Sequence, residues 1–347
     1  PLSKQEAAEG MATLGEAMHD SGDHKDAFNV LGQVKGLSEG RQNQCAKLRA
    51  KSGFEHGQSC YTDGSAQKMT EAEAYLSKVD SKQLTEQENA KTNLMRGNIA
   101  HTKSEHKKAV DHLTQDLSTL SGQEQSEAQL NLGVSHNQLG NHDKCSETLR
   151  ELLYTSGGEG QLLKTDNNLS ETQKAKGLHT LAESSYKTGK DSWVVGAVRD
   201  YNQIDAGERN KNHDLRMNFM AGRSCRQLGK GFEKEGLKYL EECTGGVADS
   251  QLNDAEKTQL HHDRGMLKAK AASRTSDADE KKKLNEGAVE DLKKAHFTGE
   301  GGLRKDKTIG KKDTAEAVYT MGQTAFKTGN YEDAVLALGN TDLSQLE

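Results

Sequence analysis

The chain has 347 residues, of which 29% are charged and 32% hydrophobic, with aromatics at 4% and a formal net charge of −6 at neutral pH. That apolar fraction is low for a protein built round one ordinary core, and the acidic balance lacks the basic footprint of a nucleic-acid-binding protein. No run approaches the roughly 18 apolar residues of a membrane span. A single proline points to helices, and 35 glycines then fall mainly at turns and close helix contacts. The first residue is Pro1, so a trimmed or processed product is expected and the lack of a targeting signal carries little weight.

A fixed phase recurs along the chain. Small residues stand at Gly15, Ala50, Gly97, Gly133, Ala182, Gly222, Gly265 and Gly322, each marking the closest approach of a first helix to a second. Twelve residues before each lies a permitted N-cap: Ser3, Ser38, Thr85, Ser121, Ser170, Asn210, Asn253 or Gly310. Five of these have Glu or Gln three residues on (Glu6, Glu88, Glu124, Gln173, Glu256), the capping-box spacing. Seven residues after the small position the first helix should end, and Gly22, Gly57, Gly140, Gly189, Gly229 and Gly329 fall there; Ser104 and Ala272 are the exceptions.

The second helices are expected at Asp26–Val34, Glu71–Val79, Lys107–Asp116, Lys144–Leu152, Trp193–Tyr201, Glu235–Cys243, Ala288–Ala295 and Glu332–Leu338. Their inner stripe is Leu31, Leu76, Leu113, Leu149, Val198, Leu240, Leu292 and Leu338. Extra length maps to loops at Ser59–Thr70 and Ser273–Lys283 within pairs, and at Thr155–Leu169 and His296–Ile309 between them.

The pattern is plainest in AVYTMGQTAFKTGNYEDAVLAL, Ala317–Leu338, which resembles a tetratricopeptide (TPR) repeat. The resemblance implies an all-α fold, an α-α superhelix of about eight antiparallel helix pairs. One solenoid over 1–347 is expected, with units 3–37, 38–84, 85–120, 121–169, 170–209, 210–252, 253–309 and 310–347; the ending at Ser344–Glu347, without an obvious polar capping helix, leaves open whether the array continues. The cap-to-cap steps run from 35 (Ser3 to Ser38) to 57 (Asn253 to Gly310), looser than the about 34 of a regular TPR. The proline that usually closes each unit is also missing, which favours the broader class of helix-hairpin solenoids.

In such repeats the residues one and four beyond the small position look into a concave groove. The resemblance therefore nominates Asn98, His101, Asn137, Glu183, Tyr186, Arg223, Arg226, Gln323 and Phe326 as partner-binding residues. Arg223 and Arg226, three apart on one helix face, are suited to fork a carboxylate. Leu94, Leu130 and Phe219 stand where a co-chaperone TPR domain would need polar groups to clamp an acidic C-terminus, which argues against that ligand class.

Other chemistry is poorly supported. The pairs His19/His24, His101/His106 and His136/His142 are explained as rings packed at helix turns, and His261-His262-Asp263 lacks metal-protease spacing, so no metal and no cofactor is expected. Neither a phosphate-binding loop nor a nucleophile elbow is present. The basic run Lys281–Lys283 and the cluster Arg304, Lys305, Lys307, Lys311 and Lys312 are taken as solvated segments. Five cysteines without a CxxC pair suggest reduced thiols, with a Cys225–Cys243 bridge as the alternative. The function expected is a non-catalytic scaffold binding a peptide or partner subunit, with no nucleic acid and no transmembrane segment. A bacterial envelope or assembly lipoprotein is the alternative, anchored through an N-terminal segment; an α-helical enzyme is the more distant one. A cytoplasmic location is favoured over the periplasm or outer membrane.

Overall fold

The computed structural model describes residues 3–155, 163–164, 168–244, 252–299, 301–304 and 308–346. Among these it contains sixteen α-helices in eight antiparallel pairs, and no strand beyond the isolated bridges Tyr154–Leu163 and Phe297–Leu303. No helix is long and apolar enough to cross a membrane among the described residues.

The chain divides into two units, Pro1–Leu169 and Ser170–Glu347. The first holds α1 (Lys4–Asp20), α2 (His24–Leu31), α3 (Glu39–Asp63), α4 (Ala66–Leu76), α5 (Glu86–Thr102), α6 (His106–Leu113), α7 (Gly122–Gln138) and α8 (His142–Leu153). The second holds α9 (Glu171–Lys187), α10 (Asp191–Tyr201), α11 (Lys211–Leu228), α12 (Glu233–Glu241), α13 (Asp254–Arg274), α14 (Ala278–His296), α15 (Lys311–Lys327) and α16 (Tyr331–Gly339).

Every first helix begins where its cap residue placed it. The N-caps are Ser3, Ser38, Thr85, Ser121, Ser170, Asn210, Asn253 and Gly310, and all five expected capping boxes close reciprocally. Each box satisfies two backbone donors that a free helix end leaves open. The hairpin turns use left-handed glycines at Gly22, Gly140, Gly189, Gly229 and Gly329, and Ser104 takes the same conformation at φ 60° without being glycine.

Pairing rests on glycine against leucine. A methyl group added at Gly15, Gly97, Gly133, Gly222, Gly265 or Gly322 would fall within 2.7 Å of the facing Leu31, Leu113, Leu149, Leu240, Leu292 or Leu338. The leucine fills the space that the missing side chain leaves, so the helix axes approach more closely than side chains would otherwise permit. These contacts form a succession of small apolar clusters, not one central core.

The second pair departs from the expected register. Its close-contact residue is Gly57, which abuts Leu76, and not Ala50. Helix α3 runs through Gly57 for 25 residues and turns at Gly64, φ 73°. Phe54, four residues beyond Ala50 and so a groove position in the expected register, is core at 4% exposure. A glycine inside a helix and a glycine ending one look alike in sequence; the facing leucine decides between them. The expected loops Ser59–Thr70 and Ser273–Lys283 are likewise mostly helix, because α3, α4, α13 and α14 extend across them. Lys281–Lys283 therefore lies on α14. Most of Thr155–Leu169, with Lys305 and Lys307, lies outside the described residues. All five cysteines are free and buried, so Cys225 and Cys243 are not bridged.

Candidate functional site

Within each unit successive first helices pack side by side: α1 on α3, α3 on α5 and α5 on α7, then α9 on α11, α11 on α13 and α13 on α15. The second helices instead fill the gaps behind, each touching the following first helix. The row of first helices is thus one face of each unit, and their side chains at fixed register meet across it.

A polar network recurs there. In the first unit the Asn98 amide donates to the Tyr61 hydroxyl at 2.9 Å and to Glu127 Oε1 at 2.7 Å, while Asn131 donates to Asn98 Oδ1 at 3.0 Å. In the second unit the Arg223 guanidinium donates to the Tyr186 hydroxyl and lies 3.1 Å from Asp263 Oδ2, which also accepts from Gln259 at 3.0 Å. Tyr61 and Tyr186 sit four residues after their small positions Gly57 and Ala182, and Asn98 and Arg223 sit one after Gly97 and Gly222. The third members, Asn131 and Asp263, each precede a small position (Gly133, Gly265) by two, and Glu127 and Gln259 precede it by six. The same three-helix register therefore carries an amide network in one unit and an ionic one in the other. Burial pushes the Tyr61 and Tyr186 hydroxyls and the Glu127 carboxyl up, so all three stay protonated more readily than in water.

The two arginines expected to fork a ligand carboxylate grip one from the chain itself. Asp263 is fully buried. Arg226 Nε stands 3.4 Å from its Oδ1, an ion contact without hydrogen-bond alignment, and Arg226 also approaches Asp313 at 3.8 Å. Burial raises the Asp263 carboxyl against the pull of both guanidiniums. Arg226 is thereby committed to the interior, at 9% side-chain exposure, whereas Arg223 keeps 30%.

Three of the nominated residues, Glu183, Tyr186 and Arg223, line one groove of about 610 Å³ between α9, α11 and the start of α13. His179 and His213 stack there with centroids 3.7 Å apart and planes 14° off parallel. Burial lowers both rings, His179 to about 4, so they stack as neutral imidazoles. Phe219 and Tyr186 continue this aromatic wall, and the Arg223 guanidinium lies over both rings. Charge pairs line the same groove: Arg216 pairs with Glu256, and Glu183 with Lys187 at 3.1 Å.

The other nominated residues are not gathered with these. His101 binds Ser135 Oγ at 3.0 Å, Asn137 Oδ1 meets His142 Nδ1 at 3.0 Å, and Gln323 donates to the Tyr319 hydroxyl at 2.6 Å. Phe326 is 62% exposed and packs edge-on against Tyr331. His19 and His101 cross their turns in the same way to His24 and His106, at 5.0 and 5.8 Å between centroids. A larger cleft of about 1120 Å³ lies among α13, α14 and α16 but takes in none of the nominated residues. Sequence reasoning missed His179, His213 and Asp263 as groove and network members; their signal is the offset of three or two residues before a small position, or three after an N-cap.

The fold is that of a TPR-like helix-hairpin solenoid, all-helical with consecutive pairs packed in series. Among solved structures the chain is similar to the crystal structure of a Rap protein complexed with competence and sporulation factor, at 14% identity over 86% of this chain and 75% of that one, TM-score 0.36. It is also similar to the apo form of the quorum sensor NprR from B. thuringiensis, at 12% identity over 98% of this chain and 87% of that one, TM-score 0.33. No protein-family model matches the chain, and no curated protein matches it.

Proposed function

We propose that the chain is a non-catalytic interaction scaffold whose first-helix face binds a peptide or a segment of a partner protein. The observation that carries this reading is the α9–α11–α13 groove of about 610 Å³, whose lining combines aromatic rings with charge pairs. Stacked neutral histidines and Phe219 offer apolar contact, and the Glu183–Lys187 and Arg216–Glu256 pairs offer charges able to exchange partners. Rim charges set orientation and encounter rate more than affinity, so the aromatic wall should supply most of the binding. The arginine most exposed to donate to an incoming carboxylate is Arg216, 59% exposed, followed by Arg223 at 30%.

The purified chain, immobilised and probed with an array of short peptides of varied charge and aromatic content, tests this. Arg216→Glu and Phe219→Ala should each weaken capture of the best peptide by about tenfold or more, near 1.4 kcal/mol. Lys234→Ala, a well-exposed change on α12, should leave it unaltered. A peptide whose capture ignores both groove substitutions would place binding elsewhere.

A further inference from the structure

We propose that His56, Cys60 and Glu71, on the α3–α4 hairpin, form a binding site for a divalent metal ion of the zinc type. His56 and Cys60 are four residues apart on α3 and so project from one face, and Glu71 on α4 closes against them. His56 Nε2 lies 3.1 Å from Glu71 Oε1 and 3.5 Å from Cys60 Sγ, and the three donor atoms all fall within 4.8 Å of one another. Zinc bonds of about 2.0–2.1 Å to nitrogen, 2.0–2.2 Å to oxygen and 2.3 Å to sulfur in a tetrahedron give donor spacings of roughly 3.3–3.6 Å. Two of the spacings are therefore already close to those of a bound ion. One nitrogen, one sulfur and one oxygen suit zinc over the oxygen-seeking calcium and magnesium.

The hairpin also holds these groups in place. The Tyr75 ring stands edge-on to His56 at 4.5 Å and fixes the imidazole plane. Cys60 is 3% exposed, and a cleft of about 510 Å³ bordered by Gln58, Ser59 and Asp63 reaches both Cys60 and His56, leaving a fourth position open to water. Glu71 is held by two ammonium groups, Lys25 on Oε1 and Lys68 on Oε2, each at 2.8 Å. Binding proceeds as an exchange: the Cys60 S–H bond breaks and its proton passes to solvent, the His56 Nε2–H that faces Glu71 gives up its proton through water while Nδ1 takes one, and sulfur, the freed Nε2 and Glu71 Oε1 each donate a pair to the ion. Lys25 gives up Oε1 in that exchange, while Lys68 keeps Oε2 and steadies the carboxylate.

Cobalt(II) titration of the full chain, stripped of metal with chelator, tests the site. One equivalent should produce a thiolate-to-cobalt charge-transfer band in the near ultraviolet with tetrahedral ligand-field bands in the visible, all abolished by added zinc. Cys60→Ser should remove the charge-transfer band, and Cys45→Ser, a buried thiol elsewhere, should retain it. His56→Gln removes a direct ligand and should weaken binding by more than the roughly 10–100-fold that loss of a mere supporting partner costs, and Lys25→Gln should tighten it because a competing cation is gone. If Cys60→Ser does not fold, by its circular dichroism, the His56 and Lys25 variants decide alone. A wild-type chain without the charge-transfer band, a band that survives Cys60→Ser, or an affinity indifferent to both other variants would leave the cluster as an ion-pair network and overturn the assignment.

Discussion

Asp263 Oδ2 lies 3.1 Å from the Nε of Arg223, so the carboxylate that this arginine was suited to recognise comes from the next first helix along. Removing one partner of a buried ion group leaves the others uncompensated, at a cost of about 3 kcal/mol or more. Asp263→Asn should therefore lower unfolding free energy by about that amount, while Asp263→Asn combined with Arg226→Met should recover part of it. Urea denaturation of the two single variants and the double variant checks this; additive losses would deny the coupling.

The glycine–leucine contacts give a second prediction. Gly133→Ala would place a methyl 2.6 Å from Leu149. Overpacking of this kind costs about 1–3 kcal/mol. Gly10, exposed in the middle of α1 with nothing within 4 Å of where a Cβ would stand apart from its own helix backbone, is the control: Gly10→Ala should stabilise by about 0.5–1 kcal/mol. Thermal melts that moved both variants in the same direction would contradict the packing argument.

Ser104 occupies a left-handed turn at φ 60° where six other hairpins place glycine. A non-glycine residue there costs roughly 1–2 kcal/mol. Ser104→Gly should recover about 1 kcal/mol once the greater freedom of glycine in the unfolded chain is offset, read as a higher denaturation midpoint at unchanged slope.

Acid should destabilise the second unit through His262. This ring is fully buried, its Nδ1 2.9 Å from His296 Nε2, and burial together with Arg226 lowers it from 6.5 to about 2. The unfolded chain takes up a proton below about pH 6.5 and the folded one does not until near pH 2. The stabilising effect is complete above the unfolded value and is lost as pH falls between the two. From pH 6.5 to 5 the loss from this group is about 2 kcal/mol, at about 1.4 kcal/mol per pH unit. Stability measured at pH 7 and pH 5 should fall less in His262→Gln than in the parent chain; equal slopes would show that His262 is not the group responsible.

Much of this architecture is legible in the chain's residues. Ser3, Thr85, Ser121, Ser170 and Asn253 announce their helices because capping is a local exchange of hydrogen bonds over three residues. The turn glycines are equally local. Gly57 misled because its role depends on Leu76, a residue 19 positions on whose approach no local pattern records.

The first-helix face was legible only as a register. Tyr186 and Arg223 could be nominated from their offsets, yet nothing in α11 signals that Asp263 would arrive from α13 to occupy the arginines, or that His179 and His213 would stack. The amino-acid sequence by itself determined where each first helix starts and, in most pairs, where it turns and which small residue it presents, since those outcomes depend on neighbours within one or two turns. Only the tertiary structure decided which polar side chains are free to meet a partner and which are spent on each other. That choice rests on distances between helices more than 30 residues apart, and on burial, which makes an unpaired charge too costly to leave alone.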